Sequence, residues 1–144
     1  MQNFLKLIRW KLNKKLMKVC DNMNHKLTAK IYVLNKLTDT KKDTHIIRVS
    51  FYDEKTKVGS AYIDGFDSNK PFLFNFSIYK KYRCKGYGSA AMKYMMQHFK
   101  IRYLTVSVNN IPAIKIYKKN NFTVDYIVSD DQGNTQYYMK FSNK

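Results

Sequence analysis

Residues 2–24 place Leu5, Ile8, Leu12, Leu16, Val19 and Met23 at intervals of three or four, with the basic residues mostly elsewhere on the wheel. That stripe predicts a basic amphipathic helix, whose apolar side suits packing on a domain, a membrane surface or a partner. Beyond it the period shortens. Segments 30–37, 45–53 and 58–64 are rich in Ile, Val, Tyr and Phe and are separated by polar residues, which predicts a meander of strands with a hairpin loop at Asp53-Glu54-Lys55-Thr56-Lys57. Pro71 introduces a strand over 72–79, in which strict alternation puts Phe72, Phe74, Phe76 and Ile78 on one face. Helical spacing returns over 89–100 with Ala91, Met92, Met95, Met96 and Phe99, followed by a strand at 103–108. Asn110 is a good N-cap and Pro112 loses no intrahelical bond in a first turn, so a helix is predicted over 111–120. Strands at 123–128 and 136–141 flank the turn Asp130-Asp131-Gln132-Gly133-Asn134. The order places the chain in the α/β class, of α+β type.

Composition narrows the reading. With 144 residues, 44% of them apolar, and no repeat or linker, the expectation is one domain over 1–144 with a core that needs no disulfides. No apolar run approaches the roughly 20 residues of a membrane span, and lysines interrupt the first 25 residues, so no signal peptide and no transmembrane segment are expected. A soluble, cytoplasmic protein is the resulting expectation. Cys20 and Cys84 form no CxxC pair and the three His are scattered, which predicts reduced thiols and no metal site.

The net charge of +17 favours polyanionic partners, although a bias of Lys over Arg can arise from composition alone. Its distribution says more. Between Ser68 and Val124 there is no acid, against 11 Lys and Arg residues, a surface expected to attract a multiply charged anion.

Two of only five glycines stand one residue apart in Arg83-Cys84-Lys85-Gly86-Tyr87-Gly88, between a predicted strand and a predicted helix. Glycine permits close approach of an anion, and the free N–H groups and dipole of a helix N-terminus stabilise it there. Arg83 and Lys85 add positive charge at the rim.

Arg83-x-x-Gly86-x-Gly88-Ser89-Ala90 resembles the acyl-CoA pyrophosphate loop, Q/R-x-x-G-x-G/A, of the GNAT N-acetyltransferase superfamily. The run from Val108 through Asn110, Ala113 and Tyr117 to Asn121-Phe122 resembles the same family's N-x-x-A-x-x-x-Y-x-x-x-G-F segment. Asn121 replaces the usual Gly, and Asn also tolerates the left-handed conformation at a helix end. The resemblance implies a mixed, mostly antiparallel twisted sheet with splayed central strands and flanking helices. The N-terminal region departs from it, because 30–37 and 45–53 are too close for the two helices usually found between the first strands.

The resemblance further implies that acetyl-CoA lies between the splayed strands. Main-chain groups of Phe76, Ser77 and Ile78 would bind the pantetheine arm and thioester, with the Ile78 N–H polarising its carbonyl. The amides of Arg83, Cys84, Lys85, Gly86, Tyr87, Gly88 and Ser89 would hold the diphosphate. Asn110 caps its helix and is a further cofactor contact, and Tyr117, on the same helix face as Asn110 and Ala113, is the implied general acid. The implied reaction is N-acetylation of a primary amine, small molecule or protein, by direct attack. No base is evident. Water held by Asn75 or Ser77, or the carboxylates of Asp64 or Asp67, are the candidates, and Cys84 is read as loop rather than nucleophile. Three other readings stay open: a CoA- or nucleotide-binding module without turnover, a basic nucleic-acid-associated protein, which the scarcity of Arg disfavours, and a homodimer in which a second copy completes the site.

Overall fold

The computed structural model describes residues 17–18, 27–34 and 45–143. Its strands are β1 (Met17–Lys18), β2 (Leu27–Leu34), β3 (Ile46–Asp53), β4 (Thr56–Asp64), β5 (Phe72–Ile78), β6 (Tyr103–Ser107), β7 (Phe122–Ser129) and β8 (Thr135–Phe141), and its helices are α1 (Tyr87–Phe99) and α2 (Ile111–Lys119). They form one sheet in the order β1-β2-β3-β4-β5-β6-β8-β7. Every neighbouring pair is antiparallel except β5 and β6, which are parallel. This is the α+β arrangement expected from the order of periods.

Met17 and Lys18 pair with Ala29 and Thr28, so these two residues are strand where the apolar spacing predicts helix. The unpaired N–H and C=O groups along the edge of β2 offer them partners that a helix surface lacks. The rest of the predicted helix over 2–24, and the end of the strand predicted over 30–37, lie outside the described residues.

The core occupies one face of the sheet. Ile47, Val49 and Phe51 of β3, Ala61 and Ile63 of β4, Leu104 and Val106 of β6 and Met139 of β8 bury against Met92, Tyr94 and Met95 of α1 and Ile114 and Tyr117 of α2. Each such large apolar side chain contributes about 1.5–3 kcal/mol by leaving water. Both crossovers, β5-α1-β6 and β6-α2-β7, advance across the sheet in the same direction, and right-handed connections then place both helices on the same side. No helix among the described residues is long and apolar enough to cross a membrane.

The opposite face carries a row of half-buried aromatic rings. Tyr62 meets Phe74 at 5.5 Å between centroids, Phe72 meets Tyr138 at 5.7 Å, and Tyr138 also contacts Tyr103 and Tyr126. Phe72 and Phe74 belong to this row, whereas Phe76 and Ile78 pack against the helix-side core. The single face expected for all four is therefore split in two. The cause is a bulge: Ser60 opposes Ser77 and Tyr62 opposes Phe74, so Ala61 faces two residues of β5. Asn75, at φ 49°, absorbs the extra residue in the left-handed region that Asn tolerates, and alternation resumes in the opposite phase.

Candidate active site

β5 and β6 pair over two positions, Phe72 with Tyr103 and Leu73 with Leu104, and then part. The bulge at Asn75 sits at the point of divergence. Tyr79 donates its N–H to the Val58 carbonyl at 2.9 Å, so strand alternation turns the Ile78 N–H away from β4, toward the gap. Gly59 opposes Ile78 from β4. A Cβ at Gly59 would lie 2.4 Å from the Ser77 carbonyl oxygen, so only glycine lets β4 support this stretch at such close range.

The chain leaves β5 through a short 3₁₀ turn at Lys80–Tyr82 and reaches α1 by way of Cys84 at φ 61° and Gly86 at φ 84°. Gly86 is the N-cap, so α1 begins at Tyr87, two residues earlier than the periodicity predicts, and Gly88 lies inside the first turn. Ala90 is the first residue to close a helical bond, to the Gly86 carbonyl at 3.1 Å. Among the described residues, the N–H groups of Lys85, Gly86, Gly88 and Ser89 meet no acceptor. Those donors and the positive end of the helix lie in a segment that also carries exposed Lys80, Lys81, Arg83 and Lys85, with Lys81 and Lys85 over the Tyr82 ring at 5.3 and 5.9 Å, a setting that suits a diphosphate. Arg83 also braces the turn, its Nε donating to the Ile78 carbonyl at 2.9 Å.

Two residues of this loop act differently from the sequence argument. A Cβ on Gly88 would stand 3.0 Å from Ile116 Cδ1 and 3.8 Å from Ile78 Cγ1. Its bareness therefore lets α1 approach α2 and β5, rather than clearing a path for the anion. Tyr87 is buried, and its hydroxyl donates to Asp53 Oδ2 on the β3–β4 hairpin. Burial first, then that bond, pushes its pKa up to about 12. The side chain thus anchors the helix start, leaving the main chain to face a ligand. Asp53, 34 positions away, was not legible as part of the site, since no local pattern joins it to the loop.

Across the gap stands α2. The Asn110 side chain accepts from the Ala113 N–H at 3.3 Å, as expected of the cap. Tyr117 is 3% exposed, with its ring 6.5 Å from that of Phe76 and 6.4 Å from that of Phe122. Burial holds its phenol well above the ordinary tyrosine range. The adjoining Ile116 is the residue that faces Gly88. Tyr117, the bulged segment of β5 and the amide-rich loop are therefore brought together, and Asn121 takes the left-handed conformation at φ 67° as expected.

The candidate bases separate. Asn75 and Ser77 lie exposed on the bulged segment. Asp64 opposes Phe72 at the start of β5, four residues and about 13 Å of strand from Phe76. Asp67 lies beyond it, paired with His45 Nδ1 at 3.1 Å. Neither carboxylate sits at the gap. Cys84 is exposed in the loop.

Known proteins share this fold. The profile of the family described as Acetyltransferase (GNAT) family matches residues 14–122. A putative GnaT-family acetyltransferase from Bordetella pertussis superposes with a TM-score of 0.57 at 16% identity, covering 67% of this chain and 66% of that one. A ribosomal-protein alanine N-acetyltransferase from Escherichia coli gives 0.56 at 17% identity, covering 67% and 68%. A spermidine N-acetyltransferase mutant from Vibrio cholerae gives 0.53 at 16% identity, covering 67% and 64%. The chain thus spans about two thirds of the length of these structures, and no curated protein matches it in sequence. The likeness of structures fixes the fold, and the match over 14–122 assigns the chain to the GNAT acetyltransferase family, whose members use acetyl-CoA.

Proposed function

We propose that this chain transfers the acetyl group of acetyl-CoA to a primary amine by direct attack. The observation that carries the reading is the placement of a buried phenol and a row of unused amides around one gap in the sheet. In this reading the free amides of the loop, those of Lys85, Gly86, Gly88 and Ser89, hold the diphosphate, while the Arg83 N–H is spent on the Lys80 carbonyl. Main-chain groups of Phe76 and Ile78 run along the pantetheine arm, and those of Ser77 turn toward Ser60 of β4. The Ile78 N–H donates to the thioester carbonyl, stabilising the charge that develops there. The C–N bond forms as the C–S bond breaks. The amine proton passes to water held beside Asn75 or Ser77, and Tyr117 gives its proton to the departing thiolate sulfur. Asn110 fixes the start of α2 and so the height of Tyr117.

Acetyl-CoA is expected to raise the melting temperature of the protein, by about 2.7 kcal/mol of added stability at a hundredfold excess over Kd. A panel of polyamines, aminoglycosides and peptides, read by release of free CoA, then identifies the acceptor class. Tyr117→Phe should lower kcat about 10²–10³-fold and leave the thermal shift intact. No thermal shift and no binding heat with acetyl-CoA would overturn the reading, as would unchanged turnover in Tyr117→Phe. The sequence of β5 contains no carboxylate, which favours a second reading, a CoA-binding module without turnover. Thermal shift without CoA release from any amine is the result that selects it.

A further inference from the structure

β7 closes one end of the sheet and pairs, among the described residues, with β8 alone. Only Phe122 at its base is buried. Val124, Tyr126, Ile127 and Val128 are 41%, 51%, 61% and 42% exposed, on both faces of the hairpin. Edge strands of this kind are ordinarily defended by lysines or by proline, since their free N–H and C=O groups are a template for another strand. In a chain with 27 Lys and Arg residues, 120–139 holds none. The acids in that stretch are Asp125, Asp130 and Asp131. Asp125, in the irregular stretch between Val124 and Tyr126, is matched by Lys140 at 3.4 Å. At the distal tip Asp130 accepts from the Gln132 and Asn134 N–H groups and the Asn134 side-chain amide, and Asp131 stands exposed beside it, while exposed Lys118 and Lys119 stand just ahead of the base.

The geometry points to a second copy of this chain as the occupant of the β7 edge, joined antiparallel about a twofold axis through the middle of the strand. Antiparallel pairing of a strand with itself sets its end beside its partner's beginning. Asp130 and Asp131 of each copy then approach Lys118 and Lys119 of the other, giving two matched charge clusters around an apolar centre of Val124, Tyr126, Ile127 and Val128. A parallel arrangement would instead set acid beside acid and lysine beside lysine.

Sedimentation velocity over a dilution series of the full chain tests this. A reversible dimer is expected, and Ile127→Lys should abolish it with an unchanged far-UV circular dichroism spectrum, because the position is solvent-exposed. Asp131→Lys, which spares the turn bonds of Asp130, should weaken the dimer severalfold, as should Lys119→Asp, and the two changes combined in one chain should restore it. A wild-type protein that stays monomeric at every concentration would overturn the proposal. So would a dimer indifferent to Ile127→Lys, or a combined variant that fails to recover.

Discussion

The two halves of this sheet are held differently. β2 and β3 run in register over eight residue pairs, from Leu27 with Asp53 to Leu34 with Ile46, whereas β5 and β6 share two. The long ladder satisfies the backbone and buries Ala29, Ile31, Val49 and Phe51 against the helices. The short one leaves backbone groups unspent at the centre of the molecule, and the loop, the bulge and Tyr117 gather there. The lesson is that the site exists because pairing is withheld locally while the rest of the sheet is stiff enough to tolerate it. Gly59 and Gly88 each let a neighbouring element close in on the gap, one against a backbone oxygen and the other against a side-chain end, which makes them the natural points of attack.

Gly59→Ala carries the largest expected effect on the fold. Its new Cβ would meet a backbone oxygen that cannot move without displacing β5, so about 3 kcal/mol of stability should be lost, measured by urea unfolding. A loss below 1 kcal/mol would mean that β4 does not brace the bulged segment as described.

Tyr87→Phe comes next. Removing the hydroxyl that donates to Asp53 should cost about 1–2 kcal/mol at neutral pH. Its pH dependence sharpens the test. Because the folded protein raises the phenol's pKa from 10.0 to about 12, the stabilisation is complete below pH 10 and is lost as pH rises through 12. Denaturation curves of the wild type should therefore fall more steeply over that interval than those of Tyr87→Phe. Tyr94, also raised to about 12 by burial, adds slope common to both proteins, as do Tyr52, Tyr117 and Tyr138, each raised first by burial.

Gly88→Ala should be the mildest, within about 1 kcal/mol of wild type. Alanine favours a helix by about as much as the shifted Ile116 side chain costs, since the contact is the far end of a flexible group. A large loss here would mean that α1 and α2 are packed too tightly to yield.

The periods of the sequence located every described β-strand and α-helix from His45 onward, most of them because an apolar face points at one core, although β7 buries only Phe122. Three things escaped it. The phase change within Phe72–Ile78 leaves the large apolar residues at every second position, and Asn75, a residue that tolerates the left-handed region, was the one available hint. The start of α1 was placed late because Gly86 serves as a left-handed cap, whereas the apolar spacing becomes regular only further along. Asp64 and Asp67 looked close to the chemistry along the chain, yet antiparallel pairing of β4 with β5 carries them to the strand's other end. The motif residues fared better: Asn110 caps α2 and Asn121 takes the left-handed conformation, as their chemistry called for.

The burial of Tyr117 has a consequence for how this protein would respond to its surroundings. A phenol kept so far from water holds its hydrogen throughout the range of acidity any cell reaches. On the proposed reading, catalysis then has no internal alkaline switch, and the acidity at which turnover begins reports the ammonium group of the acceptor. A pH–rate profile would thus be a fingerprint of the missing substrate.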